Sequence, residues 1–251
     1  SGDYKLINGY CYTSTGPTGA SGRISYTMGL RGPCMTIDTA CSSALTCTHV
    51  AAQSLRNKDC KIALVGGASI ITEPDQSLSF CRLGAQSPEA RCKSFDDDAN
   101  GYIRSEGVCV MVLKRLSDAQ KDGDKILAII KGSAVNQDGK SKRFTAPSTV
   151  AQGLMHTAAL KNAQLDPTEI DYIETHGTGT KVGDPAEVRG ILFAYEKFRT
   201  KEHPIVISSN KSNFGHMECN SGMASMFKVI LALQNNTIPK VVHLKKPNTL
   251  I

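Results

Sequence analysis

The chain has 251 residues, with 40% hydrophobic residues, 21% charged residues and a net charge of +6. This is an ordinary globular composition, long enough to bury an apolar core as one large domain or two smaller ones. No apolar run reaches membrane-spanning length, and the basic residues are scattered rather than gathered into an aromatic-flanked stripe, so neither a membrane span nor a nucleic-acid surface is expected.

The nine cysteines include no C-x-x-C pair. Their spacing suits neither a zinc site nor a disulfide framework, and it fits a reducing, cytoplasmic compartment. Most of them are expected to be small buried apolar groups. The densest basic cluster, KSKR at 140–143, reads as a solvated loop, with docking to an acidic partner as the weaker reading. The opening SGDYKLINGY reads as the middle of a longer protein, so targeting segments would lie outside it.

In chain order, residues 36–47, TIDTACSSALTC, read as a strand running into a helix, with Cys41 at the joint. Residues 60–71, 107–116 and 125–135 read as further strands. SDAQKDGDK, 117–125, is the most polar short connector and marks a seam, dividing the chain into 1–122 and 123–251. Residues 148–165 carry apolar groups at helical spacing with Ser148 as N-cap. Residues 169–175 and 204–210 read as strands, and 222–236 as a helix. The alternation predicts an α/β fold with buried sheets.

Three segments carry chemistry. Cys41 at a helix start would lie near unpaired N–H groups and the positive end of the helix dipole, which favour thiolate. A buried structural cysteine is the plainer reading of the thiol alone. ETHGTGTKVGDPAE, 174–187, places His176 at a strand end, followed by glycines that permit a sharp turn. SSNKSNFGHMECNSG, 208–222, places Lys211 and His216 after another strand. Alone, each histidine could be structural. Together, a thiol and two imidazoles past strand ends describe covalent acyl transfer, with paired donors for a developing oxyanion or enolate. A Cys-His-His metal site is disfavoured by the glycine turns and by the lack of an acidic ligand beside the histidines, so no metal is expected.

DTACSSAL, ETHGTGT and NKSNFGH resemble, in order, the nucleophile and two histidine motifs of the β-ketoacyl synthase family. GRISYTMGLRGP, RCKSFDDDANGYIRSEG, GSAVNQDG, TAPS and IPKVVHLKKPN extend the resemblance over the whole chain, closest to ketosynthase domains of modular polyketide synthases and animal-type fatty acid synthases. The resemblance implies a thiolase-like α/β fold of two similar halves layered α-β-α-β-α. It implies decarboxylative Claisen condensation with a malonyl-type extender, catalysed by Cys41, His176 and His216. Lys211 would pair with Glu187 in support, and Thr178 and Thr180 would touch the pantetheine arm. No cofactor would bind directly; substrates would arrive on the phosphopantetheine of acyl carrier protein. A homodimer and neighbouring synthase domains such as an acyltransferase are implied as partners.

Family members also begin upstream of SGDYK and continue past PNTLI to a glycine-rich loop with a Phe, so the resemblance implies a chain incomplete at both ends. Three stretches depart from the family pattern: Arg143 and Phe144 stand where many relatives have Gly and Leu, MECNSGMAS replaces an Ala-rich run, and CRLGAQSPEARCKSFD is unusual. These bear on substrate shape rather than reaction type. The competing readings are a coenzyme A-dependent condensing enzyme, against which His216 argues, and a non-catalytic scaffold or chain-length partner, against which Cys41 argues.

Overall fold

A computed structural model describes residues 8–141, 143 and 145–251. Helices α1 (Cys11–Thr15) and α2 (Thr18–Met28) lead to an irregular stretch at 30–38. A 3₁₀ turn, Ala40–Ser42, runs directly into α3 (Ser43–Arg56). There follow β1 (Ile62–Ser69), α4 (Asp75–Arg82), β2 (Gly107–Lys114), α5 (Leu116–Asp122) and α6 (Thr149–Ala163). The remainder is β3 (Tyr172–Glu174), α7 (Gly183–Tyr195), β4 (Val206–Ser208), α8 (Lys211–Phe214) and α9 (Ser221–Asn235).

β1 and β2 pair antiparallel, from Ile62 opposite Lys114 to Ser69 opposite Gly107. Side chains alternate between the two faces of such a pair. Cys109, Met111 and Leu113 point to a core of Ala44, Val65 and Met223, joined by Cys47, Ala51 and Phe227. Their neighbours Val108, Val110 and Val112 are 67%, 56% and 64% exposed on the other face. Since Met223 and Phe227 lie on α9, residues from both sides of position 122 share this core. A second core joins Leu160 of α6 to Ile191, Ala194 and Tyr195 of α7, over Ile173 of β3 and Ile207 of β4. β3 and β4 pair in parallel, with α7 as the connection between them. A parallel pair requires such a crossover.

The strands expected at 60–71 and 107–116 form as β1 and β2, and those at 169–175 and 204–210 shorten to three residues each. The helices at 148–165 and 222–236 form as α6 and α9, and Ser148 Oγ accepts the Ala151 N–H at 3.2 Å as the N-cap. Two expected strands are corrected. Residues 125–135 and the stretch leading to Cys41 carry no regular structure, and Ile126, Leu127 and Ile129 are exposed. A strand needs a neighbour for its alternating N–H and C=O groups, and among the described residues neither stretch has one. The polar connector at 117–125 is largely helical, as α5 ends at Asp122 and Gly123 closes it at φ 70°.

Burial of most cysteines is also corrected. Only Cys92 is buried, while Cys34 and Cys81 are exposed and the rest are intermediate. Lys140 and Arg143 are exposed, as a solvated loop requires; Lys142 and Phe144 lie outside the described residues. Among the described residues, no helix is long and apolar enough to cross a membrane.

Met223 is 0% exposed where α9 meets α3 and β1. Met223→Ala is expected to lower the unfolding free energy by about 2–5 kcal/mol in urea titration, through lost burial and an unfilled cavity. A loss below about 1 kcal/mol would mean that this core closes over the gap.

Candidate active site

Cys41 occupies the middle of the 3₁₀ turn, and hydroxyl-rich neighbours build that turn. Ser43 Oγ accepts the Thr39 N–H at 2.9 Å and donates to the Ala40 carbonyl at 2.7 Å. Asp38 Oδ1 accepts the Ala40 N–H at 2.9 Å, and Ser42 Oγ donates to the Thr39 carbonyl at 2.8 Å. Ala40 sits at φ 53°, a left-handed conformation that a residue with a Cβ adopts at a cost. These bonds hold the strained turn.

The Cys41 thiol differs from the expected thiolate. Burial raises its pKa, Glu218 raises it further, and the opposing pull of Lys211 does not compensate. The helix start is present, but desolvation of the charged form outweighs it.

His176 follows β3. Glu187, on α7, accepts the N–H groups of His176 at 2.6 Å and Gly177 at 2.8 Å. Asp184 accepts the Gly179 N–H at 3.1 Å and the Phe95 N–H at 2.8 Å. Gly177 and Gly179 have φ of 40° and 79°, so the expected sharp turn is made. Thr180 Oγ1 accepts the Gly183 N–H at 3.2 Å at the head of α7 and lies 3.1 Å from Thr178 Oγ1.

His216 follows β4 and α8, and is 1% exposed. Its Nδ1 accepts the Glu218 N–H at 2.8 Å and lies 2.9 Å from Ser221 Oγ. A nitrogen that accepts a backbone N–H carries no proton, so the neutral ring is protonated at Nε2. Burial, then Lys211, hold its pKa at about 3. The protein around His176 likewise pushes its pKa well below the ordinary imidazole value, with Lys211 and His216 adding to the effect. His176 is open to solvent on part of its surface, which weakens the burial effect but leaves the two charge effects in place.

Cys41, His176 and His216 converge. Their Sγ and ring nitrogens lie within 4.8 Å of one another, and the two rings cross at 86° with centroids 5.2 Å apart. Such a trio is spaced to hold a metal ion, but its donor chemistry does not suit one. The Nε2 of His216 bears a proton instead of a free lone pair, and the Lys211 ammonium repels a cation.

Lys211 is 2% exposed. Its expected pairing with Glu187 is corrected, because among the described residues Lys211 makes no direct ion pair. Both carboxylate oxygens of Glu187 are engaged by backbone N–H groups, so Glu187 acts on Lys211 through space. Burial lowers the Lys211 pKa, opposed by Glu187 and then Glu174. Glu174 in turn holds Lys228 at 2.7 Å and the Asn210 N–H at 2.6 Å, next to Lys211.

Sequence reasoning missed several contributors. The Tyr102 ring lies 4.9 Å from the His216 ring, and burial raises its hydroxyl pKa to about 12. Arg104 is ion-paired with Glu218, and Asp184 braces the His176 loop. Only their membership of quoted stretches hinted at them; their spacing carried no signal. Gly67 and Gly107 press against the turn after His216. A methyl group on Gly67 would run into the Asn220 side chain, and one on Gly107 would lie 2.7 Å from Met217 Sδ.

Because the Cys41 pKa is raised above 9.0, alkylation by iodoacetamide should keep accelerating through that pH. A rate already level by about pH 7.5 would mean a resting thiolate and contradict the raised value.

Two family profiles match the chain: Beta-ketoacyl synthase, N-terminal domain, over residues 2–119, and Beta-ketoacyl synthase, C-terminal domain, over residues 127–245. The polyketide synthase GfsE of Streptomyces halstedii is 44% identical over 97% of this chain, which spans 6% of that protein. A phenolphthiocerol/phthiocerol polyketide synthase protein of Mycobacterium tuberculosis is 43% identical over 99% of this chain, which spans 13% of that protein. The ketosynthase from module 6 of the bacillaene synthase of Bacillus subtilis superposes with a TM-score of 0.90 at 42% identity, covering 92% of this chain and 41% of that one. The oxazolomycin ketosynthase domain OzmH KS7 of Streptomyces albus gives 0.90 at 37% identity, covering 94% of this chain and 41% of that one. The fold is therefore thiolase-like, as the motifs implied. With Cys41, His176 and His216 brought together on that fold, the chain belongs to the β-ketoacyl synthase family.

Proposed function

We propose that the chain carries the condensing centre of a polyketide synthase ketosynthase, joining an acyl group on Cys41 to a malonyl-type extender. The observation that carries this reading is the convergence of Cys41 with two imidazoles held neutral. The two rings are not equivalent. His216 Nδ1 is engaged, whereas the ring nitrogens of His176 have no hydrogen-bond partner among the described residues. His176 is therefore the base that takes the Cys41 proton as the sulfur attacks the incoming thioester. It returns that proton to the departing pantetheine sulfur, leaving acyl-Cys41 and a neutral ring.

In the second half-reaction the extender loses carbon dioxide, and negative charge builds on its thioester oxygen. N–H groups of His176 and His216 donate to that oxygen; one such fixed donor is worth roughly 3–4 kcal/mol. The carbanion attacks the acyl-Cys41 carbonyl, whose oxyanion the Cys41 N–H stabilises. Collapse expels the Cys41 sulfur as thiolate, which takes a proton from solvent, and releases a β-ketoacyl chain two backbone carbons longer. Burial, then Lys211, keeps both rings neutral, so in this half-reaction they act as hydrogen-bond donors rather than acids.

The chemistry uses no directly bound cofactor; both acyl groups ride on the phosphopantetheine of acyl carrier protein, beside Thr178 and Thr180. The wider reading is a cytoplasmic homodimer next to domains such as an acyltransferase, with halves at 1–122 and 123–251. The separate family profiles support that division, and the polyketide synthase relatives favour polyketide over fatty acid synthesis.

In the intact synthase, Cys41→Ala is expected to abolish the acyl adduct in intact-protein mass spectra; an adduct that persists refutes the nucleophile. His216→Ala is expected to slow condensation by about 10²–10³-fold, and His176→Ala to slow both loading and condensation on that scale. Wild-type product formation by either variant refutes the assignment. Coenzyme A thioesters serving as well as carrier-protein thioesters would refute the carrier-protein reading. With a His216 pKa of about 3, the ring stays neutral above that value. The condensation rate should therefore show no His216 titration between about pH 5 and 8. A histidine-type limb near pH 6.5 that disappears in His216→Asn would contradict it.

A further inference from the structure

Arg104 lies outside the trio but is bound tightly to the turn that carries His216. The segment Tyr102–Ser105 grips the His216 backbone from both sides: His216 N–H donates to the Ile103 carbonyl at 2.7 Å, and Ser105 N–H donates to the His216 carbonyl at 3.0 Å. Between those contacts the Arg104 guanidinium, 9% exposed, forks onto Glu218, Nε to Oε1 and Nη2 to Oε2 at 2.9 Å. Its other N–H groups reach Ser77 Oγ at 2.7 Å and Gln76 Oε1 at 3.0 Å, and it lies over the Phe80 ring at 5.4 Å. A guanidinium held on so many sides has little freedom, and its two-point contact fixes the carboxylate it grips.

Glu218 needs fixing. It sits at φ 44°, where a residue with a side chain is strained. In that conformation its N–H reaches back to His216 Nδ1 at 2.8 Å. The forked ion pair is the anchor for this backbone, and the N–H it presents, with Ser221 Oγ 2.9 Å from the same nitrogen, sets which ring nitrogen bears the proton.

We propose that Arg104 is a positioning residue of the condensation step: by gripping Glu218 it holds the Glu218 N–H on His216 Nδ1 and so keeps the proton on Nε2, the nitrogen left free for the substrate. This rests on the condensation reading above. The acyl-loading half-reaction does not use His216, so Arg104 serves only the second half.

The test uses the intact synthase with Arg104→Gln and, in case that variant folds poorly, Arg104→Lys, which keeps the charge but loses the fork. Two measurements are made: acyl loading against condensation rate, and the His216 tautomer by ¹⁵N NMR of histidine-labelled protein. Both variants are expected to load Cys41 as wild type does. Condensation kcat should fall by about 10- to 100-fold, taking the scale known for outer partners of metal-ligating histidines, with extender KM nearly unchanged. The wild-type Nε2–H signal should give way to a tautomer mixture. Either variant condensing at the wild-type rate, or keeping a pure Nε2–H signal, overturns the proposal. A loaded wild type that forms no product overturns the condensation reading instead, and the NMR comparison still reports on Arg104.

Discussion

One buried ammonium sets the chemistry of everything near it. Lys211 is enclosed by protein and has no direct ion-pair partner among the described residues. Its charge therefore acts over several ångströms of poorly screening medium. It lowers the proton affinity of both imidazoles and pulls the Cys41 thiol downward, against the stronger push of burial. The carboxylates of Glu187 and Glu174 oppose its own desolvation from a distance, and each is held by backbone N–H groups. Burial is the larger cause of the low proton affinity of both imidazoles, and the Lys211 charge adds to it.

The same arrangement explains how two identical side chains can take different parts. His216 has one nitrogen committed to the backbone, so its remaining N–H points one way chemically: it donates. His176 has no such commitment among the described residues and is partly open to solvent, so both of its ring nitrogens stay available. Burial favours the protonated form of Cys41, which limits the resting reactivity of the sulfur.

Much of this was legible in the chain. The period-two alternation of GVCVMVLK predicts β2, and it forms with Cys109, Met111 and Leu113 inward. Ser148 and the apolar spacing behind it predict α6, cap included. The convergence of Cys41, His176 and His216 was legible through motifs rather than patterning, because nothing local in DTACSSAL says that its sulfur will meet rings far along the chain. Residues 125–135 differ from expectation because an apolar run states a preference for burial, whereas a strand also needs a neighbour, and among the described residues this run has none. The Cys41 pKa misled likewise. A helix start is visible in sequence, but the protein mass that desolvates the thiol is assembled from distant segments. The bracing of the His176 loop by Glu187 and Asp184, and of the His216 turn by Arg104, depends on tertiary approach and left no signature in spacing.

The tight seating of the Asn220 and Met217 side chains on Gly67 and Gly107 gives the β1–β2 pair an uneven evolutionary freedom. On β2 a single added carbon at 107 meets Met217 Sδ and shifts the loop that orients an imidazole. Two backbone positions in the ribbon, with no side chain of their own, thus hold the His216 turn in place from outside the pocket.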